Sequence, residues 1–322
     1  MKWLIQNNGL TMHTEQQTNI RVVLAFAAIY LIWGSTFYGV SIALRSFPVF
    51  MLSSLRLLIA GVVLLGVCIF RKESFPSFKD ILRNGLCGLF IFLGGILAVV
   101  WAQQYISSGL ASIIITTPFW FIVLDRRQWN FYFSSKWILG GLLTGLVGVV
   151  LLLKFRNTVQ NSVSDDMQVI SIVTIIAGSA MWVAGSLYLK YYPTPTSTYV
   201  STSIQLLSAG IFCLAISAFR NEPQNIRLTD IDVESWIALF YLAIFSSLIT
   251  FMCFIWLIKI RPPAIVSTYS YVNPVVAVLL GWGLGNEHIS MIQLVALTII
   301  LTGLFLVNVP KYKSAFPTRS SN

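Results

Sequence analysis

One charged side chain inside an apolar stretch defines most of the chemistry open to this sequence. Arg56 lies in Ser54-Leu55-Arg56-Leu57-Leu58-Ile59-Ala60-Gly61, within an apolar run from about Val49 to Phe70. A run of that length crosses a hydrocarbon core of ~30 Å as a helix. A guanidinium near the middle of such a helix costs roughly 3 kcal/mol on insertion scales, so it faces a bundle interior or a wet cavity rather than lipid. There it can bind a substrate carboxylate or phosphate through paired N–H donors. The same group can instead snorkel outwards, or bond backbone carbonyls and lock helices together. Nearly the same octet returns as Ser203-Ile204-Gln205-Leu206-Leu207-Ser208-Ala209-Gly210, with Gln205 in place of the arginine. A site using both would be charged in one half and only hydrogen-bonding in the other.

Pro118 and Pro274 fall inside later apolar runs, where each frees the carbonyl four residues earlier and bends its helix, a natural place for gating. Broken backbone at that depth lines protein or water. The neighbouring Thr116, Thr117, Tyr271 and Asn273 are therefore candidate cavity residues, although interhelical hydrogen bonding uses the same types. Trp33, Trp101, Trp120, Trp182 and Tyr271 offer aromatic faces to an amphipathic or cationic ligand, or serve as packing and interfacial anchors. All eleven acidic residues fall in loops, tails or span edges. Asp125 and Glu287 come nearest to membrane depth, and a proton relay through a buried carboxylate is not expected. No Walker A sequence, His/Glu metal motif or Gly-x-Ser-x-Gly elbow is present, so no ATPase activity, metal, cofactor or hydrolase chemistry is expected. The four cysteines sit in apolar runs without CxxC spacing and read as buried thiols.

These residues need a membrane scaffold. Of 322 residues, 57% are hydrophobic and 10% charged, with a mean hydropathy of +0.80; a soluble domain carries about 25% charged residues. Apolar runs predict an all-α polytopic membrane protein of about ten spans, near 22–42, 49–70, 81–103, 108–124, 135–153, 168–189, 197–218, 235–258, 263–284 and 290–309. Residues 1–21 and 310–322 read as polar tails, and 154–167 as the linker between two halves. Fifteen of the 21 basic residues fall on the side of the termini and five on the other, the remaining one being Arg56. By the positive-inside rule both termini are cytoplasmic. The net charge of +10 is thus a topology signal, and the expected partners are a small-molecule substrate and the lipid bilayer, with no nucleic acid.

A shift of 149 positions carries Trp33 to Trp182 and Ser54 through Gly61 onto Ser203 through Gly210. A shift of 156 carries Thr116-Thr117-Pro118 onto Val272-Asn273-Pro274. The chain therefore reads as two repeats, 22–153 and 168–309. Five spans per repeat is an odd number, so the second repeat runs through the membrane upside down. That is the plan of many secondary transporters, with substrate near the midplane between the halves.

Several stretches also resemble one family. Ile29-Tyr30-Leu31-Ile32-Trp33-Gly34-Ser35-Thr36-Phe37, Leu55-Arg56 with Ala60-Gly61, Tyr105 to Ser112 leading into Thr116-Thr117-Pro118-Phe119-Trp120, and Tyr269-Ser270-Tyr271-Val272-Asn273-Pro274 with Gly281-Trp282 are similar to the EamA family of the drug/metabolite transporter superfamily. The resemblance runs through all ten spans. It implies a bacterial inner-membrane permease of two EamA repeats, commonly an exporter of amino acids or other small metabolites, with spans 5 and 10 as peripheral support. Leu284-Gly285-Asn286-Glu287 departs from the usual Leu-Gly-Glu ending by one inserted residue. The expected function is alternating-access transport of a small polar or amphipathic metabolite, not catalysis. A non-transporting scaffold or a membrane-embedded lipid-modifying enzyme is the alternative.

Overall fold

The computed structural model describes residues 2–115, 117–154, 165–261, 266–267, 269–285 and 290–315, and every regular element among them is helical. Six helices are long and apolar enough to cross a membrane: Ile20–Ala43 (span 1), Val49–Phe70 (span 2), Phe78–Ala102 (span 3), Asp166–Tyr191 (span 6), Thr198–Phe219 (span 7) and Val233–Ile260 (span 8). Four shorter apolar helices, Ser108–Phe121, Lys136–Gly148, Val272–Leu284 and Leu294–Gly303, stand at the positions of spans 4, 5, 9 and 10. The expected tails and linker are trimmed by helix. Span 1 continues a helix that begins at Lys2, with no proline to stop it, and span 10 lies within Met291–Ala315. The helix of span 5 reaches Lys154, and that of span 6 starts at Asp165.

Serines set three of the helix starts. The hydroxyls of Ser77, Ser107 and Ser197 each accept the backbone N–H three residues on, at 3.3 Å, satisfying donors that a helix start leaves unpaired. Span 2 begins after Pro48 and has no such cap of its own. Its first-turn N–H groups are taken instead by Glu222, whose carboxylate accepts from Met51 at 2.8 Å and Phe50 at 3.4 Å. Ser217 at the end of span 7 donates to the same carboxylate at 2.8 Å. The turn that delivers Glu222 passes through Asn221 at φ 57°, a left-handed position that asparagine tolerates.

Spans 2 and 7 cross at the centre, and their contact is reciprocal. A Cβ added to Gly61 would lie 2.8 Å from the side chain of Leu207, and one added to Gly210 would lie 2.9 Å from Leu58. The 149-residue shift relates those two pairs to each other, so the contact is made twice about one pseudo-two-fold axis.

Spans 3 and 8, also equivalent, each contain a π-helical segment, Leu93–Leu97 and Leu242–Thr250. Such segments widen a helix, release carbonyls from the regular ladder and recur at functional sites. Here they bring Gly94, Gly95, Ser246 and Ser247 to the interior. Span 4 is interrupted ahead of Pro118, where Ser108–Ile114 ends on an extended Ile115 and a new helix starts at Thr117. Pro274, by contrast, stays inside the helix Tyr269–Gly285.

Close helix crossings predict an asymmetric response to the smallest substitution. At Gly88 a Cβ would sit 2.5 Å from the backbone of Gln205, whereas at Gly66 it would meet nothing within 4 Å. Gly88→Ala is expected to lower the unfolding free energy in detergent by about 1–3 kcal/mol. Gly66→Ala should leave the unfolding midpoint unchanged or slightly raised.

Candidate functional site

Between the repeats, at the depth of Arg56, lies a cavity walled by spans 1, 2, 3, 4, 6, 8 and 9. Together with its opening it spans about 870 Å³ of space outside atoms, and the free interior of the conformer described is much smaller than that.

The charged wall is built by span 2 against the π segment of span 8. Arg56 is 1% exposed. Its Nε donates to the Ser247 hydroxyl at 3.0 Å and one terminal nitrogen to the Ser246 hydroxyl at 3.2 Å. Thr36 of span 1 donates to the same Ser246 oxygen at 3.0 Å, and the Trp33 indole donates to the Ser246 carbonyl at 3.3 Å. Thr250 ties off another carbonyl of the segment, that of Phe245, at 2.7 Å. Among the described residues no acid pairs with Arg56, the one ion pair being Arg71 to Glu73.

A second part of the wall is aromatic. Trp33 and Trp182, equivalent in the two repeats, meet with ring centroids 5.7 Å apart and planes at 80°. Phe254 contacts both, at 5.3 and 5.5 Å, and Tyr269 lies 5.0 Å from Trp33. Trp33 precedes Thr36 on a helix leaving the N-terminal side, and Phe254 follows Ser246 on one returning to it. The cluster therefore floors the cavity towards the termini. Beyond it, where spans 4 and 6 end, Tyr191 donates to Asp125 at 2.8 Å, with the Arg127 guanidinium 4.2 Å and the Lys190 ammonium 5.0 Å from the tyrosine ring. Asp125 is at a span edge as expected, but it is buried, at 2% exposure.

Known proteins are similar to this chain. A solved crystal structure aligns with a TM-score of 0.63 at 18% identity, over 90% of this chain and 98% of its own, which is a likeness of fold. The uncharacterized inner membrane transporter YedA of Escherichia coli (strain K12) is 32% identical over 298 residues, 92% of each chain. The chloroplastic WAT1-related protein At3g02690 of Arabidopsis thaliana is 25% identical across 88% of this chain and 68% of its own. The model of the EamA-like transporter family matches residues 20–154 and again 169–309. The chain belongs to the EamA-like transporter family. The model matches twice, once in each half of the chain, and the protein is a membrane transporter.

Within this EamA fold the residues singled out from the sequence divide into two groups. Arg56, Trp33, Trp182, Asn273 and Pro274 are brought together on the cavity wall. Asn273 is buried, and with its amide nitrogen turned towards the carbonyls of Tyr269 and Tyr30 it donates to both at 3.1 Å, joining spans 9 and 1. Gln205 is not on the wall. It lies in the seam of spans 7 and 3, where Gly88 lets the backbones touch and Gln205 donates to Asn84 at 3.4 Å. Trp101 also turns aside, pairing with Tyr105 at 5.2 Å. It follows the π segment, and each residue of offset turns a helix face by about 100°, so Val99 and Val100 face the cavity in its place. Trp120 packs against the core around Trp182 without lining the cavity. The side chains of Thr117, Pro118 and Tyr271, with Thr116 and Glu287, lie outside the described residues.

Sequence reasoning missed Ser246, Ser247, Thr36, Ser112 and Ser179. Hydroxyls are common in membrane helices, and the only signals were the adjacent Ser246-Ser247 and the one-turn spacing of Thr36 from Trp33. Ser247→Ala removes the Nε acceptor of a buried guanidinium and should cost about 1.5–3 kcal/mol. The loss should appear as a lowered unfolding midpoint in detergent, with Ser41→Ala as a neutral control.

Proposed function

We propose that this transporter carries a small carboxylate-bearing metabolite, such as an amino acid, by secondary or facilitated alternating access. The reading places it in a bacterial inner membrane with both termini cytoplasmic and export as the net direction. The observation that carries it is the guanidinium of Arg56 on a cavity wall with no acid beside it among the described residues. A guanidinium has five N–H donors, and the two serine hydroxyls accept two of them. A substrate carboxylate would neutralise the charge and take donors left over, while its apolar part meets Trp33, Phe92 and Phe251. The inner-membrane name of YedA, the basic bias of the terminal side and the exporter habit implied by the family resemblance support the location and direction.

Inverted repeats supply the second conformer by exchanging the roles of the halves. In the conformer described, the aromatic floor and the Tyr191–Asp125 bond close the terminal side. Opening that side requires both to part. Among the described residues spans 5 and 10 add none to the cavity wall, and they brace each other, a Cβ on Gly303 falling 2.6 Å from the Gly141 carbonyl.

The test is efflux from proteoliposomes loaded with a panel of amino acids and monocarboxylates. Flux of at least one carboxylate-bearing compound is expected; folded protein that moves none of them would reject the reading. Arg56→Gln should reduce that flux at least about tenfold, the factor of a single 1.4 kcal/mol interaction, while the protein stays folded. An unfolded variant would instead assign the arginine to the scaffold. Tyr191→Phe should raise labelling of a cysteine placed at Ser179 by a thiol reagent added from the terminal side.

A further inference from the structure

We infer that the indole N–H of Trp182 is a substrate-recognition donor, paired in the bound state with an acceptor on the transported molecule. The inference rests on the transport reading above and adds a second group that reads the substrate besides Arg56.

Trp33 and Trp182 are the same position in the two repeats, and both line the cavity. Their N–H groups fare differently. That of Trp33 is bonded to the Ser246 carbonyl, which lies in the π segment of span 8. That of Trp182 is buried without a partner, on a side chain only 7% exposed. The neighbouring π segment, in span 3, meets Trp182 through Gly95, where a Cβ would fall 2.1 Å from Cε3 and 2.8 Å from Cζ3. Cε3 and Cζ3 lie on the edge of the indole away from its nitrogen. The segment therefore clasps the carbon edge and leaves the N–H edge turned from it. A second close approach fixes the helix behind the ring, since a Cβ on Gly178 would fall 2.3 Å from the Gly94 carbonyl. The carbon edge of the indole is thus held, while its one polar group goes unsatisfied and is sealed off in the conformer described, so that an acceptor reaches it only as the aromatic floor parts. Leaving a buried donor unpaired costs free energy, and such groups in folded proteins call for a specific occupant.

The chemistry of that occupant follows from the wall. Among its described residues the ionisable groups are the Arg56 guanidinium and the Tyr269 phenol, with no carboxylate or imidazole. Arginine and indole are donors only, with no acceptor. The cavity therefore selects for an acceptor-rich head group on an apolar body and offers no counter-ion to an isolated cation. A carboxylate-bearing molecule should bind, and the amine lacking that carboxylate should not.

The probes are L-leucine and L-phenylalanine with their decarboxylated counterparts, isoamylamine and phenethylamine, measured by calorimetry on the detergent-solubilised full chain. The variants are Trp182→Phe, which keeps an aromatic ring, and benzothienylalanine at position 182, which keeps the bicyclic shape and replaces N–H by sulfur. Loss of one hydrogen bond predicts about tenfold weaker amino-acid binding in both variants. Trp33→Phe should lower the unfolding midpoint, because its N–H serves the scaffold. Equal affinity of wild type and the benzothienylalanine protein would overturn the inference while leaving the transport reading intact. So would a drop in stability without a change in affinity, which would assign the N–H to a neighbouring aromatic face. Wild-type protein that binds none of the four probes overturns the inference, the transport reading being decided by the efflux panel, and binding of the amines alone defeats the proposed substrate class.

Discussion

A guanidinium in a low-dielectric interior must be solvated by the protein, and in this transporter two adjacent hydroxyls on a widened helix do it. Ser246 and Ser247 are consecutive, so on a regular helix they would point about 100° apart. The π segment of span 8 presents both to Arg56, and the Ser246 carbonyl in the same segment also accepts from Trp33. Span 1, span 2 and span 8 are thereby tied at one point. The cavity is the space left beside that knot.

The rest of the architecture makes the knot affordable. Glycines let backbones approach where the repeats cross, as at Gly61 and Gly210, and where the π segment of span 3 meets span 6. Dispersion and close packing must supply the association energy, because lipid gives apolar helices no reason to prefer one another. Against that tight frame the wall stands out as loosely satisfied, with a charge that lacks a counter-ion and an indole that lacks an acceptor. Stability and function occupy different residues of the same helices.

Much of this was legible in the chain. Span count, class and the two repeats follow from apolar run lengths and from the octet around Arg56. Five of the candidate residues share the cavity because depth along a span is readable from sequence. What was not legible is rotation about a helix axis. A π segment has the composition of the helix around it, so nothing marked Leu242–Thr250 or the turn that carries Trp101 aside. Gln205 was misplaced for a related reason. Its octet matches that of Arg56, but Gly88 on the facing helix brings the two backbones into contact and closes the space that its counterpart keeps open. Equivalent positions become equivalent sites only when their neighbours are equivalent too.

The reciprocal contact of spans 2 and 7 bears on how two halves of one chain can drift apart. Leu58 rests on Gly210, and Leu207 rests on Gly61. A larger side chain at either glycine would have to be answered by a smaller one on the opposite helix. Each half is therefore the mould for the other along this seam, whereas residues facing lipid or the cavity answer to no such partner. The octets in which the two halves still share five of eight letters lie where the halves press together.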